Sequence, residues 1–231
     1  MSGHSHTAEE GYQGPPHVHH MDPVTAYHSA KLGMWLFLAT EILLFGGLFT
    51  AFALYRWMYL DVFEHASQHL AWGWGAINTL VLLFSSFTAA MAVEAAQKGE
   101  NKRVVKFLSI TIVCALVFLV IKYIEYTAKY HAGIFPGSAH WNSPEFNKEY
   151  QAFFGLYFCM TGLHALHVVI GMGLLLWVLK KAKANRFSAE YYTPVEIGAL
   201  YWHLVDLIWI YLFPLLYLVG HPNWHFPFGQ H

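Results

Sequence analysis

Six acidic and histidine side chains stand inside long apolar runs, and whatever chemistry the chain performs has to start from them. Glu41 lies between Thr40 and the run Ile42-Leu43-Leu44, with no basic residue near it. His164 and His167 are three residues apart, and so are His203 and Asp206. That spacing puts each pair on one face of a helix, so His203 and Asp206 are expected to pair. Glu125 ends another apolar run beside Tyr126. A carboxyl in lipid is costly when charged, so Glu41 reads in two ways. It is either a proton-relay or regulatory carboxylate, or a protonated carboxyl held by a hydrogen bond from a neighbouring helix. The histidines also carry two readings. They could be axial ligands of a haem or metal, or glue between helices, hydrogen-bonded to the nearby acids.

Other metal and redox signals are weak. Cys114 and Cys159 are isolated in apolar sequence and form no C-x-x-C pair, so neither a disulfide framework nor a zinc site is expected. A copper centre of the kind built from paired cysteines has no loop to sit on. The first 29 residues hold His4, His6, His17, His19, His20 and His28. Such a tract can chelate copper or zinc, but a polar tail without apolar content is also what a disordered segment looks like.

The elements that must position these groups follow from composition. Of 231 residues, 56% are apolar, 18% aromatic and 12% charged, with a mean hydropathy of +0.37. That charge is about half the ~25% share of a soluble globular chain, too little to cover a particle of this size in water. A net charge of −1 and the lack of a basic stripe exclude nucleic acid as a partner. Five runs, at 32–55, 74–97, 104–128, 151–179 and 195–219, have the roughly 20 apolar residues needed to cross a bilayer as helices. The chain therefore reads as an all-α polytopic membrane protein with five transmembrane helices. Residues 1–30 form a His-rich tail, 31–220 the membrane domain and 221–231 a short C-terminal tail. At the rise of ~1.5 Å per residue, Glu41 sits ~13.5 Å past the start of the first span, near the bilayer midplane.

Nine basic residues flank one side of these spans: Lys31, Lys98, Lys102, Arg103, Lys106, Lys180, Lys181, Lys183 and Arg186. Arg56, Lys129 and Lys148 flank the other, with Lys122 inside the third span near that end. The positive-inside rule then puts the N-terminus in the cytoplasm and the C-terminus outside.

Four segments, in order, resemble haem–copper oxidase subunit III. GMWLFLATEILLF at 33–45 is similar to that family's glutamate-bearing helix, and NTLVLL at 78–83 to its next helix. TGLHALHV at 161–168 looks like its T-G-x-H-x-x-H-V motif, and YWHLVDLIW at 201–209 like its Y-W-H-x-V-D-x-x-W signature. The resemblance covers about 31–220 and is closest to the five-helix form found in bacterial caa-type oxidases. Many members have two further helices at the start, which this sequence lacks.

The resemblance implies a non-catalytic subunit of a proton-pumping terminal oxidase, in the bacterial cytoplasmic membrane. Haem and copper would lie in partner subunits, with no metal and no catalytic residue in this chain. It would pack beside subunit I, with subunit II and a small subunit IV in the complex, and could join a respiratory supercomplex. Bound phospholipid is implied as well, though the lipid cleft would need another chain for its second wall. Glu41 takes the place of the family's intramembrane glutamate. Glu125, His164, His167, Trp202, His203, Asp206 and Trp209 form the polar seam that packs the C-terminal helices. Alternatives kept open are subunit III of a bo-type quinol oxidase, a relative assisting nitric oxide reductase, a membrane cytochrome b, and a small proton channel.

Overall fold

The computed structural model describes residues 23–68, 70–138, 141 and 148–218. Among the described residues the regular elements are all helices joined by short turns and loops, apart from one isolated bridge between Ser188 and Tyr191. Five helices are long and apolar enough to cross a membrane: α1 (Pro23–Met58), α3 (Trp72–Gln97), α4 (Asn101–His131), α5 (Lys148–Lys183) and α6 (Thr193–Phe213). The five expected spans are thus all present. Most of the tail at 1–30, including His4, His6, His17, His19 and His20, lies outside the described residues, as does 221–231.

One element has no counterpart in the sequence reading. α2 (Leu60–Gln68) is a nine-residue helix after α1. It buries Phe63, Ala66 and Ser67 and turns Asp61 and His65 outward. Too short to span and too mixed to register as an apolar run, it caps one end of the bundle by packing on α1 and α5.

Helices α3, α4, α5 and α6 close into a ring in which each packs on its neighbours, and α3 also packs on α6. Where no water is present to drive apolar association, close contact has to come from small residues and buried polar bonds. Along α3 the buried stripe is Ser85, Ala89, Ala92 and Ala96, which lets α4 approach closely. The Thr88 and Thr111 hydroxyls meet across that seam at 2.8 Å. Gly171 does the same for α5 and α6, since a Cβ there would lie 2.9 Å from the Tyr201 ring and 3.0 Å from Trp202.

α1 stands outside the ring, against α5 and α6. It touches them along one narrow stripe, Met34, Leu38, Glu41, Phe45, Leu48 and Phe52, spaced by alternating fours and threes. That is the spacing of a helix–helix seam. Its remaining faces expose Leu36, Ile42, Leu43, Leu54 and Trp57. At one end Lys31 pairs with Glu196 at 2.8 Å and Tyr27 donates to the same carboxylate, clasping the start of α1 to α6.

Candidate functional site

The buried polar groups fall into three sets rather than one continuous seam. The first joins α1 to α5. Glu41 Oε2 lies 2.9 Å from His167 Nε2, and His167 Nδ1 lies 2.8 Å from the Leu163 carbonyl oxygen. A carbonyl can only accept, so Nδ1 carries a proton and donates it. Nε2 then either accepts from a protonated Glu41 or, in an imidazolium, donates to a carboxylate. Both arrangements place one shared proton between the two side chains. The pair sits at the margin of the bundle: the side chains are 14% and 9% exposed, and Leu43 and Leu166 beside them face outward. The Phe45 ring meets His167 edge-on, and Tyr201 donates to the His167 carbonyl.

The second set is centred on Glu125 and is wholly buried. Lys122 and Lys129, three residues before and four after it on α4, donate to Oε2 and Oε1 at 2.8 and 2.9 Å. Tyr157 of α5 and Tyr217 both donate to Oε1, at 2.8 and 2.7 Å. Tyr217 gets there because Pro214, which has no N–H to continue α6, opens a wider π-helical turn over Pro214–Leu218. The Lys122 ammonium donates to Tyr217 as well and lies over the Trp209 ring at 4.6 Å. The cluster differs from the sequence expectation: Glu125 meets lysines and tyrosines rather than the seam histidines, and Lys129, expected on the flank of the spans, is buried beside it. The signal was present in the K-x-x-E-x-x-x-K spacing, which stacks the three groups on one helix face.

The third set links α3 to α6. Trp202 donates its indole N–H to Ser85 at 2.7 Å, and Trp209 donates to Thr79 at 3.1 Å. His203 and Asp206 do not pair as their spacing suggested. His203 Nδ1 meets the Ser86 hydroxyl at 2.7 Å, and Asp206 faces the same hydroxyl outside good hydrogen-bond geometry. Both residues point toward α3, so a serine on the opposing helix comes between them. His164 departs from expectation too. It is fully buried between the Phe118 and Trp209 rings, and neither ring nitrogen meets a hydrogen-bond partner among the described residues. It does not satisfy a carboxylate, as the seam reading required. Asn78 on α3 is buried in the same unsatisfied state. Among the described residues, no three His, Cys, Asp or Glu side chains converge as metal ligands would.

The sequence matches the family model described as cytochrome c oxidase subunit III over residues 7–221. The chain belongs to the cytochrome c oxidase subunit III family. Within that family it is 33% identical to cytochrome c oxidase subunit 3 of Thermostichus vulcanus, over 81% of this chain and 86% of the relative. It is 31% identical to quinol oxidase subunit 3 of Bacillus spizizenii, over 82% and 86%. Cytochrome c oxidase subunit 3 of Latimeria chalumnae matches at 28% over 92% of this chain. The molecule is therefore a multi-pass membrane protein and a subunit III of a terminal oxidase, working in a complex with other oxidase subunits. The resemblance read from the four motifs is the family that these matches show.

Proposed function

We propose that this subunit III is an accessory of a proton-pumping cytochrome c oxidase that stabilises subunit I and supports its proton uptake. Haem and copper belong to the partner subunits I and II, and a small subunit IV completes the complex. The Glu41–His167 pair carries the reading. It holds one exchangeable proton at the lipid-facing margin, 2.9 Å across the seam between α1 and α5. An acid–base pair in that position can shift its proton between carboxyl and imidazole without changing its net charge, and so hold a proton ready for exchange at the edge of the lipid. The reading as a membrane cytochrome b gains little from the geometry: His167 engages both ring nitrogens within the chain, His203 Nδ1 engages Ser86, and His164, though without a hydrogen-bond partner among the described residues, is enclosed by the Phe118 and Trp209 rings. We place the chain in a bacterial cytoplasmic membrane with its N-terminus inside, on the strength of the nine basic residues on that side.

Deleting the chain tests the proposal. The remaining oxidase should keep its haem spectrum and its initial rate of oxygen reduction, but lose activity progressively during turnover. Immediate loss of haem or of all oxygen reduction would contradict an accessory role. A second reading keeps the subunit and changes the electron donor, because a quinol oxidase relative is almost as similar as the cytochrome c oxidase one. Oxygen uptake sustained by reduced cytochrome c but not by a quinol supports the first reading, and the reverse supports the second.

A further inference from the structure

The Glu125 cluster is unbalanced. Among the described residues it buries two ammonium groups against one carboxylate. Buried charge without compensation costs several kcal/mol, so the extra cation needs an anion or an equivalent. The two lysines are not equally provided for. Lys122 donates to Glu125 and to Tyr217, and lies over the rings of Trp209, Tyr157 and Tyr217. Lys129 donates to Glu125 and lies over the Tyr157 ring. Among the described residues two of its three N–H donors are left, and it lines a cavity of about 360 Å³ together with Glu125, Trp74, Ile121, Ile124 and Ala128.

The level of this cavity says what could enter it. α4 has 31 residues, so Lys129 lies ~20 Å from its midpoint at ~1.5 Å per residue. That is ~5 Å beyond the half-thickness of ~15 Å of a bilayer's hydrocarbon core, the depth of phosphate groups. Ile121 and Ile124 lie deeper, at ~8 and ~12 Å by the same rise, level with acyl chains. Ile124 and Ala128 open to the outside of the bundle, and Trp74 is half-exposed beside them.

We propose that this cavity binds the phosphate group of one anionic phospholipid, with Lys129 as its cation and Ile121 and Ile124 against the first part of an acyl chain. The bound phosphodiester supplies the negative charge that the cluster lacks. The site lies on the α3–α4 side of the bundle, away from the Glu41–His167 pair on α1 and α5. It needs only the chain's place in a membrane complex, so it stands or falls apart from the proton-uptake role.

The test uses the assembled oxidase complex, stripped of lipid in detergent and titrated with phosphatidylglycerol, diacylglycerol or inorganic phosphate. Native mass spectrometry of the released chain reads adducts. Wild type and Lys129→Arg should each retain one phosphatidylglycerol and no diacylglycerol. Lys129→Met should weaken retention at least tenfold. Since Lys129→Met disturbs the cluster, Ala128→Phe provides a second route: it fills the cavity, leaves every ion pair in place, and should also lose the adduct. Glu145 lies outside the described residues and is tested as another source of negative charge. If the site is as proposed, Glu145→Gln leaves retention unchanged. Equal retention by wild type, Lys129→Met and Ala128→Phe would overturn the proposal. So would equal binding of diacylglycerol, binding of inorganic phosphate alone, or a Lys129 effect that disappears in Glu145→Gln.

Discussion

Glu41 and Glu125 are both carboxyl groups inside apolar helices, yet the molecule treats them in opposite ways. Glu125 is buried at the centre of four donors from three elements, two of them cations. Such a carboxylate has little freedom to give up or receive a proton, because every change of charge unsettles its neighbours. Among the described residues Glu41 has one hydrogen-bond partner, His167, itself protonatable, at a boundary next to lipid. The lesson is that depth in the membrane does not decide whether an acid is structural or functional. The number and kind of its partners do. A charge held by four donors is part of the scaffold, whereas one held by a single imidazole can move a proton at little cost.

The strongest attempt to break this comparison removes the Glu125 carboxylate. Glu125→Leu leaves two buried ammonium groups uncompensated and should destabilise the subunit by about 3–5 kcal/mol. Loss of the chain from the purified complex, or a large drop in its thermal midpoint, checks this. Replacing all three charges together, with Lys122→Met, Glu125→Leu and Lys129→Met, should recover much of that loss, since hydrophobic replacements avoid the desolvation cost. If the triple variant is no better than the single one, the cluster is more than an ion pair held for packing.

Next in size is Gly171→Ala, which tests the scaffold beneath both sites. Its Cβ would press on Tyr201 and Trp202 at 2.9 and 3.0 Å, so α5 and α6 must separate. Overpacking of this kind costs about 1–3 kcal/mol, measurable as a lowered melting midpoint of the complex. His203→Leu should cost less, about 1 kcal/mol, because it removes a single half-buried bond to Ser86. Equal damage from His203→Leu and Glu125→Leu would erase the distinction between a lone polar link and a charged hub.

The smallest effect on stability is expected from Glu41→Gln, and it sharpens the comparison most. A glutamine amide can donate to His167 Nε2 just as a protonated carboxyl does, so assembly and melting should change by less than about 1 kcal/mol. Reaction with a hydrophobic carbodiimide should vanish, and proton uptake or endurance in turnover should fall while haem content is kept. A loss of more than about 2 kcal/mol would instead mean that the pair is an imidazolium–carboxylate ion pair, which an amide cannot replace.

The five spans could be read from the sequence because apolar run length is a direct measure of membrane thickness. The short helix α2 could not, since nine residues of mixed polarity look like any loop. At the sites, what was legible depended on whether partners lie near in sequence. The Lys122–Glu125–Lys129 stack is local and legible in its spacing, but a lysine at the end of a span reads equally well as a water-facing flank residue. His203 and Asp206 do share a face, yet the residue between them, Ser86, comes from another helix 117 positions away. Glu41 looked unpaired because only its own helix was in view.

The distance in sequence between Glu41 and its partner also governs how the protein is made. Helix α1 leaves the ribosome first, but His167 follows 126 residues later. At about 5–20 residues per second, Glu41 waits in the bilayer for roughly 6–25 s before its imidazole exists. During that interval the residue is an unmatched acid on an otherwise greasy helix, the kind of flaw by which a membrane protease or chaperone can tell an unfinished subunit from a finished one. The pair can close only once α5 is in the membrane, so the first span made is among the last to have its buried acid matched.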